Sequence, residues 1–382
     1  MNNLTKVIFP ESVIGIVGGG QLGQMMAMSA KEMGYVVGVL DPAENCPAAQ
    51  VSDWHIQADY DDKKALKELA DNCDVLTYEF ENVDVSALEQ VKDDVLLPQG
   101  TQLLSITQNR VREKNFLSEA QVLIAPFVEV NNFEDLVDGV VKIGFPCVLK
   151  TASGGYDGKG QQVLREKSQL EDCRKMIASS PCVLEAWLDF EKEISVLVCG
   201  NGQNDYVTLT VGENIHRNNI LHETIVPADI QSEIAEKSQK IALKIARALN
   251  LAGILAVEMF LTEEGEIYVN ELAPRPHNSG HHSIESCSMS QFDLHIRGVC
   301  GYPLSSPRLL SSAVMVNILG EHLDATYKII PEKADWHFHY YGKKEAKVGR
   351  KMGHITILTD DTAHTLREIK ATKIWDRQGR IK

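Results

Sequence analysis

The sequence predicts an α/β domain, then an α+β domain, and then a small third domain. Three observations indicate this order: apolar runs alternate with helical patterns near the N-terminus, strands come in pairs around one long helix in the middle, and the tail has a few short strand-like runs. With 382 residues, of which 44% are hydrophobic, the chain exceeds what one hydrophobic core usually serves. We place the domains at 1–112, 113–300 and 301–382.

The first domain shows the alternation that is typical of a parallel sheet with crossover helices. Its strands are short and apolar, and most are followed by a helical segment. The apolar runs cover 13–17, 35–40, 74–79 and 95–97, and the helical patterns cover 21–33, 62–71 and 84–92.

The turn after the first strand predicts an anion-binding site. Gly18, Gly20 and Gly23 follow the G-x-G-x-x-G pattern of a dinucleotide-binding turn. Glycines permit a tight turn, and the N-terminus of the next helix offers unpaired N–H groups to a phosphate. Asp41 follows the second strand, where an acidic partner for a ribose would lie. A nicotinamide or flavin cofactor and another phosphorylated ligand both stay possible at this point.

The middle of the chain predicts an α+β domain, because its strands come in pairs around an amphipathic helix. The apolar residues of that helix recur at helical spacing, so one face packs on a sheet; they are Ile230, Ile234, Ile241, Ile245 and Leu249. The strand pairs are 146–151 with 161–165, 191–199 with 206–211, and 254–261 with 266–272. The tail has strand-like runs at 313–319, 336–341 and 353–358 and a final helix.

The charge, the cysteines and the hydropathy of the chain indicate which partners and which cellular compartment to expect. The net charge of −15 disfavours nucleic acid and anionic membranes as partners. The eight cysteines form no C-x-x-C pair and several lie in apolar runs, which favours reduced core thiols. The N-terminal stretch has no apolar signal segment, and no window approaches a membrane span. We therefore expect a cytoplasmic protein with neither a nucleic-acid nor a membrane partner.

A glycine-rich loop follows a buried strand that ends at Lys150. The sequence KTASGGYDGKGQ places four glycines directly after this lysine, so the backbone can fold over phosphates. The spacing differs from the G-x-x-x-x-G-K-[ST] P-loop. The alternative is a flexible hairpin between strands 146–151 and 161–165, with Lys159 solvated.

A hairpin further along brings two glutamates together. Its turn lies around Glu264-Gly265, and counting outward places Phe260 opposite Val269 and Glu258 opposite Glu271. Like charges directly across a sheet are destabilising unless a positive group lies between them, and Mg²⁺ suits carboxylate ligands. Participation of Asn270 requires a local bulge. The alternative is a pair of exposed glutamates on a solvated hairpin face.

Two further segments carry charge that could bind a substrate. RPHNSGHH could form a zinc site from His277, His281 and Glu285, but its Asn-Ser-Gly centre favours a loop, and a loop with Arg275 better suits an anion. A basic stretch in the tail is either a solvated face or a clamp on a phosphate; it contains Lys343, Lys344, Lys347, Arg350 and Lys351.

Taken together, Lys150, the glycine loop, Glu193 and the Glu258/Asn270-Glu271 group resemble an ATP-grasp enzyme. Within that superfamily the chain is similar to the 5-(carboxyamino)imidazole ribonucleotide synthases of purine biosynthesis. The motifs occur in that family's order over nearly the whole chain, with no departure at a position expected to bear function; they are GGGQLGQM, YEFEN, KTASGGYDGKGQ, NELAPRPHNSGH, and YGK followed by GRKMGH.

The resemblance implies an ATP-grasp fold with an N-terminal Rossmann-like domain and ATP between two antiparallel sheets of residues 113–300. Arg110 and Lys150 would contact the phosphates, the loop from Gly155 to Gln161 would close as a lid, Glu185 to Leu188 would border the adenine, and Glu193 would hold the ribose. The full ATP-binding set is Arg110, Lys150, Gly155, Tyr156, Asp157, Gly158, Lys159, Gly160, Gln161, Glu185, Ala186, Trp187, Leu188, Glu193, His216, Asn270 and Glu271. Magnesium would be held by Glu258, Asn270 and Glu271.

The resemblance also implies the reaction. ATP would phosphorylate bicarbonate to carboxyphosphate, whose carboxyl group, as such or as carbon dioxide, is captured by the amine of 5-aminoimidazole ribonucleotide, and the family usually forms homodimers. The substrate-binding set is Gly20, Gln21, Leu22, Glu79, Arg275, His277, Ser279, Lys343 and Arg350, and the catalytic set is Asp157, Arg275, Lys343 and Arg350. The glycine turn at Gly18–Gly23 is then interpreted as a phosphate-receiving turn for the substrate.

Three alternatives stay open at the level of the sequence. A related ATP-grasp transformylase would use formate and glycinamide ribonucleotide. An oxidoreductase would use the glycine turn for a nicotinamide cofactor, although such an enzyme has no need of Lys150 and the glutamate pair. A nucleotide-binding regulatory protein would bind ATP without turnover.

Overall fold

The computed structural model describes residues 7–155 and 160–376 and arranges their strands in three sheets. Within these ranges, none of the helices is long and apolar enough to cross a membrane. All eight cysteines are free thiols, and all but Cys73 are buried, as the apolar runs around them predict.

The first sheet is parallel, with strand order β3-β2-β1-β4. The predicted run at 95–97 forms only a single bridge from Leu96 to Val75, and β3 was not predicted because three residues carry no periodic signal. The elements are β1 (Val13–Val17), α1 (Gln21–Glu32), β2 (Val36–Leu40), β3 (Trp54–Ile56), α2 (Lys63–Asp71), β4 (Val75–Tyr78), α3 (Val85–Val91) and α4 (Gln102–Thr107).

A small antiparallel sheet follows, with strand order β5-β8-β6-β7. It is preceded by α5, which begins where the Asn109 side chain accepts hydrogen bonds from the N–H groups of Val111 and Arg112. The domain boundary predicted at 112/113 falls inside this helix. The elements are α5 (Arg110–Glu119), β5 (Phe127–Val130), α6 (Phe133–Ile143), β6 (Cys147–Thr151), β7 (Gln161–Leu164), α7 (Arg174–Ser179) and β8 (Cys182–Ala186).

The third sheet joins the rest of the middle segment to the tail. Its main order is β14-β13-β9-β11-β12-β15-β17-β16, and β10 pairs with β9. The elements are β9 (Lys192–Asn201), β10 (Tyr206–Thr208), β11 (Gly212–Arg217), β12 (Ile220–Val226), α8 (Ser232–Ala248), β13 (Ala252–Leu261), β14 (Ile267–Ala273), α9 (Ser283–Ser286), α10 (Gln291–Val299), β15 (Ala313–Leu319), α11 (Leu323–Ile329), β16 (Trp336–Tyr340), β17 (Lys351–Leu358) and α12 (Thr362–Ala371).

The tail strands therefore extend the sheet of the middle segment. β12 and β15 pair antiparallel from Glu223 opposite Val316 to Val226 opposite Ala313. A hydrophobic cluster around Val316, Ile355 and Trp375 covers this end of the sheet.

Helix α10 connects the first sheet to the third. One of its faces places Phe292 and Ile296 in the same core as Met26 of α1. Its other face places Leu294 in a second core with Ile254 of β13. Because each fully buried large apolar side chain contributes about 1.5–3 kcal/mol, these contacts fix the two sheets relative to each other.

Candidate active site

A cleft of about 580 Å³ lies between the small antiparallel sheet and the edge of the third sheet. It is lined by every member of the predicted ATP-binding set that lies in the described ranges except Gly160, whose carbonyl accepts the N–H of Thr151 at the base of the hairpin. A second, more open depression of about 870 Å³ beside it is lined by none of the predicted site residues. Tyr156, Asp157, Gly158 and Lys159 lie outside the described residues.

One end of the cleft is cationic. The ammonium groups of Lys114 and Lys150 each lie 3.1 Å from the same carboxylate oxygen of Glu185. Burial opposes ionisation of Glu185, yet the two lysines hold its pKa below the ordinary value. The other carboxylate oxygen of Glu185 has no hydrogen-bond partner among the described residues.

Arg110 fixes the start of the glycine-rich loop. Its guanidinium donates to the carbonyl of Thr151 at 2.9 Å and to the carbonyl of Gly155 at 3.1 Å. Lys114 is one helical turn further along α5, so both cations lie on the face that points to the cleft. The sequence interpretation missed Lys114, although this i, i+4 spacing was a usable signal.

The Glu258/Glu271 pair forms as predicted, but through a different register. Phe260 pairs with Tyr268 rather than with Val269, and the register shifts between Glu258 and Met259. The shift leaves Asn270 as the extra residue of a β-bulge and restores Glu258 opposite Glu271. The predicted register was wrong because the turn includes Thr262, whose carbonyl accepts the N–H of Gly265, and is longer than a two-residue loop.

The two carboxylates differ in their electrostatic surroundings. Burial, and then the charge of Glu258, raises the pKa of Glu271 to about 7. His277 lies 3.0 Å from Glu258 and, against the effect of burial, holds the pKa of Glu258 below its ordinary value. Arg110 and Lys150 act in the opposite direction and lower the pKa of Glu271, but burial and the charge of Glu258 outweigh them.

The cleft also contains a polar pair and aromatic rings. Glu193 lies 2.8 Å from His216 and raises its pKa, although burial acts in the other direction. Phe190 and Phe260 stack with ring centroids 4.3 Å apart and line the cleft with Trp187. The two phenylalanines were not predicted, because no spacing rule relates a loop residue to a strand residue.

The glycine turn contains an anion that the protein itself supplies. The carboxylate of Glu79 accepts the N–H of Gly20 at 2.5 Å and the N–H of Gly23 at 2.6 Å. Asp41 is equally engaged, since it accepts the N–H of Gly19 at 2.8 Å and the hydroxyl of Tyr60 at 2.6 Å. Asp41 is therefore engaged within the protein, and in the turn interpreted as phosphate-receiving the N–H groups of Gly20 and Gly23 are already paired with Glu79.

Arg275 lies between the turn and the cleft. Its Nε donates to Glu81 at 2.6 Å, and its pKa is raised by Glu81, Glu79 and Glu258 against the opposing effect of burial. His277 lines the cleft, but Ser279 is only 1% exposed, and its hydroxyl lies 2.9 Å from Nδ1 of His277. Ser279 therefore supports His277 from behind and does not face the cleft.

The basic tail segment divides into two groups. Lys343 is partly buried, and burial followed by the charge of Arg350 lowers its pKa to about 8, while the nearby Glu79 raises it. Lys351 lines the cleft. Lys344 and Lys347 are exposed, as expected for a solvated face.

The zinc interpretation of RPHNSGHH finds no support in residues 7–155 and 160–376, where no group of three or more His, Cys, Asp or Glu side chains is arranged to hold a metal. His281 is hydrogen-bonded to Gln291, and His282 to Ser286. Glu285 is paired with His339 at 2.6 Å.

The two sheets and the cleft between them are those of an ATP-grasp protein. The ATP-grasp domain family matches residues 115–292, the ribonucleotide synthetase preATP-grasp domain matches residues 12–108, and the phosphoribosylaminoimidazole carboxylase C-terminal domain matches residues 313–368. The chain belongs to the family of N5-carboxyaminoimidazole ribonucleotide synthases.

Relatives match the chain over nearly its whole length. The N5-carboxyaminoimidazole ribonucleotide synthase of Bacillus subtilis (strain 168) is 47% identical over 98% of this chain and 98% of that protein. A crystal structure of the ADP complex of an N5-carboxyaminoimidazole ribonucleotide synthetase is 50% identical, with a TM-score of 0.95, and covers 98% of this chain and 100% of that chain. The Aspergillus clavatus enzyme in complex with ADP and 5-aminoimidazole ribonucleotide is 31% identical, with a TM-score of 0.91 over 97% of this chain and 100% of that chain.

These matches confirm the predicted fold class, the family and the class of ATP-dependent ligase. The predicted activity, an ATP-dependent carboxylation of 5-aminoimidazole ribonucleotide in purine biosynthesis, is confirmed at the level of the family. The roles of individual residues and the domain boundaries stay predictions.

Proposed function

We propose that this chain transfers the γ-phosphoryl group of ATP to bicarbonate and the resulting carboxyl group to the amine of 5-aminoimidazole ribonucleotide. The products are N5-carboxyaminoimidazole ribonucleotide, ADP and phosphate. The observation that carries the proposal is the opposed Glu258/Glu271 pair, which faces a cleft whose far side holds Lys114 and Lys150. The two glutamates, which could bind a metal ion, and the two lysines, which could bind phosphates, then lie on opposite walls of one site.

ATP fits the cleft with its base against Glu185 and the aromatic side chains and its phosphates toward Arg110 and the Glu258/Glu271 pair. The Glu185 oxygen that has no partner among the described residues can accept a hydrogen bond from the exocyclic amine of adenine, and Phe260 and Trp187 supply apolar surface for the base. Glu193 can accept the ribose hydroxyls. Lys150, which already lies beside Glu185, reaches the phosphates with Arg110.

The residues present fit magnesium. The coupled carboxylates of Glu258 and Glu271 are opposed across a bulge, and the bulge residue Asn270 adds an amide oxygen on the same wall of the cleft. One or two carboxylates completed by water and phosphate oxygens form a typical magnesium site. When bound, the ion would neutralise charge on the phosphates.

In the first step an oxygen of bicarbonate attacks the γ-phosphorus and the bond to the β,γ-bridging oxygen breaks, so that ADP leaves and carboxyphosphate forms. The protein contributes mainly positioning and charge neutralisation, for which Arg110, Lys150 and Arg275 are placed. Carboxyphosphate hydrolyses readily in water, so exclusion of water from the cleft is required.

In the second step the exocyclic amine of the aminoimidazole forms a bond to the carboxyl carbon, phosphate leaves and the amine loses a proton. Arg275 and His277 lie between the cleft and the glycine turn, where this carbon would be transferred. Asp157 is proposed to orient the amine.

The phosphoribosyl group is proposed to bind beside the glycine turn. Glu79 occupies the N–H groups of Gly20 and Gly23, so the substrate phosphate is assigned to Lys343 and Arg350. Gln21 and Leu22 lie in the first turn of α1, where helix geometry gives their N–H groups no intrahelical acceptor, and they complete the site.

Two further assignments belong to this proposal. We place the enzyme in the cytoplasm, on its acidic composition and the pathway of its family, and we assign it a homodimeric state, on the family resemblance. Size-exclusion chromatography with light scattering tests the second.

The decisive experiment measures ADP and phosphate release with each substrate omitted in turn. We expect product-forming turnover only with ATP, bicarbonate and 5-aminoimidazole ribonucleotide together. ADP formation that instead requires formate and glycinamide ribonucleotide would identify a transformylase. Tight nicotinamide cofactor binding without ATP binding would identify an oxidoreductase, and ATP binding without turnover would identify a regulatory protein.

A further inference from the structure

A buried relay of hydrogen bonds crosses from the first sheet to the segment that carries Arg275 and His277. The N–H of Ile254 donates to Nδ1 of His295 at 3.1 Å, and Nε2 of His295 lies 2.7 Å from the hydroxyl of Thr77. Thr77 donates to the side-chain carbonyl of Gln99 at 2.5 Å, and the amide of Gln99 donates to the carbonyl of Pro274 at 3.2 Å.

The direction of every bond in the relay is determined. A backbone N–H can only donate, so Nδ1 of His295 accepts, and the neutral ring carries its proton on Nε2. The hydroxyl oxygen of Thr77 accepts a hydrogen bond from that N–H, and its single O–H is left to donate to Gln99. The amide oxygen of Gln99 therefore accepts and its NH₂ group donates to Pro274, so each polar atom named has a matching partner.

The relay is shielded from water. Thr77 and His295 are 0% exposed and Gln99 is 7% exposed. Burial lowers the pKa of His295 to about 3, which keeps the ring neutral. Gly253 has a φ of +79°, and a Cβ there would lie 3.0 Å from the ring of His295, so the close approach of the histidine to β13 depends on this glycine.

Thr77 and Pro274, two members of the relay, lie at the two halves of the proposed reaction. Thr77 is on β4, two residues before Glu79. Pro274 follows β14, the strand of Glu271, and directly precedes Arg275. His295, on the other side of Thr77 in the relay, is on α10, the helix that packs on both the first and the third sheet.

We propose that Thr77, Gln99 and His295 are positioning residues that hold the segment 274–277 in register with β4. This inference rests on the proposed function: the relay fixes the amine acceptor, bound beside Glu79, relative to the carboxyl donor formed in the nucleotide cleft. A displacement of this segment would leave nucleotide binding intact but would let carboxyphosphate react with water before the amine reaches it.

The test compares Thr77→Val, which removes the hydroxyl at nearly constant volume, with Thr77→Ser, which keeps it. We expect Thr77→Val to raise KM for 5-aminoimidazole ribonucleotide by about 10-fold or more and to lower the ratio of carboxylated product to ADP. The affinity for ADP, measured by calorimetry, stays at the wild-type value. Thr77→Ser restores the KM and the product ratio.

Thr224→Val is the matched control. Thr224 is also 0% exposed and its hydroxyl donates to one side chain, Asn214, at 3.1 Å, but it takes no part in the relay. It should lower the melting temperature without changing the KM or the product ratio. The proposal is overturned if Thr77→Val behaves like Thr224→Val, or if Thr77→Ser fails to restore the wild-type values.

If Thr77→Val does not yield folded protein, Gln99→Met breaks the same relay from its other side and is judged by the same two readouts. Failure of the proposed function would be separate: the wild-type enzyme would then form no ADP that depends on 5-aminoimidazole ribonucleotide and bicarbonate. If the wild-type enzyme turns over normally and the Thr77→Val variant retains the wild-type product ratio, only the proposed role of the relay is overturned.

Discussion

The glycine turn and the nucleotide cleft both contain groups that can bind ions. They differ in whether those groups already have hydrogen-bond or ion-pair partners within the protein. In the turn, Glu79 and Asp41 fill three backbone N–H groups at 2.5 to 2.8 Å. In the cleft, burial and the charge of the facing Glu258 raise the pKa of Glu271 to about 7, and one oxygen of Glu185 has no hydrogen-bond partner among the described residues. The turn is thus largely completed by the protein, whereas the cleft presents groups that suit a bound ligand.

The difference explains why the sequence pattern alone did not identify the anion that occupies the turn. A G-x-G-x-x-G pattern specifies backbone geometry and the dipole of the next helix. It does not specify which anion fills the position, and here a carboxylate from the end of β4 does so. A buried carboxylate pair in a cleft can relieve its repulsion by taking up a proton or a cation, so the Glu258/Glu271 pair suits a cationic ligand.

The largest expected effect tests the unsatisfied cleft. Glu271→Gln should lower turnover by about 10²–10³-fold, because it removes one of the two charges that would hold a metal-bound triphosphate. ADP formation with all three substrates measures this change. Glu264→Gln, on the exposed turn of the same hairpin, should leave turnover unchanged. A Glu271→Gln variant with more than half of wild-type turnover would refute the role of the pair.

A second change tests the electrostatic cost of the cleft. Glu113 is buried and accepts the N–H of Leu272 at 2.8 Å, and burial followed by the charge of Glu271 raises its pKa to about 8. Between about pH 4.5 and 8, the Glu113 carboxyl keeps its proton in the folded protein but loses it in the unfolded chain. The free energy of unfolding therefore falls as the pH rises through this range.

Glu113→Gln keeps the acceptor and removes the titration, so at pH 9 the variant should be more stable than the wild type by on the order of 2 kcal/mol. Urea denaturation at pH 5.5 and pH 9 measures the difference. Glu119→Gln, at the exposed end of the same helix, should show no such pH dependence. An advantage of Glu113→Gln that does not grow with pH would contradict the raised pKa.

A third change tests the internally completed turn. Glu79→Gln leaves one acceptor oxygen for two N–H groups, so the free energy of unfolding should fall by about 1–2 kcal/mol and KM for 5-aminoimidazole ribonucleotide should rise, with ADP affinity unchanged. Asp74→Asn is the control, since Asp74 accepts the N–H of Val13 at the other end of the sheet. Equal effects of the two variants on KM would show that Glu79 has no part in substrate binding.

The smallest effect is expected for Lys343, which lies near Glu79 of the glycine turn. Since burial lowers the pKa of Lys343 to about 8, its ammonium charge is lost as the pH rises through that value, and kcat/KM for the phosphorylated substrate should fall. Lys343→Arg keeps the charge and should retain kcat/KM at pH 9, with at most a few-fold change at pH 7. Lys344→Arg should leave the alkaline decline in place, and an identical decline in Lys343→Arg would assign it to another group.

Local patterns predicted the elements well where periodicity was strong. β1 and β15 match their predicted bounds, and α1 differs by one residue. The hairpin of β11 and β12 was missed even though its Asn218-Asn219 turn, with φ of +51° and +61°, carries a typical two-residue turn signal. Its strands contain charged residues on both faces, so no apolar alternation marked them.

The candidate site was predicted where chemistry concentrates in short motifs, and missed where it depends on tertiary contacts. Lys150 and Glu271 lie in such motifs and line the cleft. The bulge at Asn270 could be named as a requirement but not located, because turn length sets the register. The carboxylate of Glu79 reaches the start of α1 only because β4 ends beside that helix. This is a tertiary contact that no local sequence spacing encodes.

The pairing of β12 with β15 has a consequence for engineering. A chimera that replaced residues 313–382 with those of a relative would exchange half of a strand interface as well as Lys343 and Arg350. Deletion of that segment would expose the backbone of β12 to intermolecular strand addition. Recombination libraries built from this family should therefore place no crossover between β12 and β15.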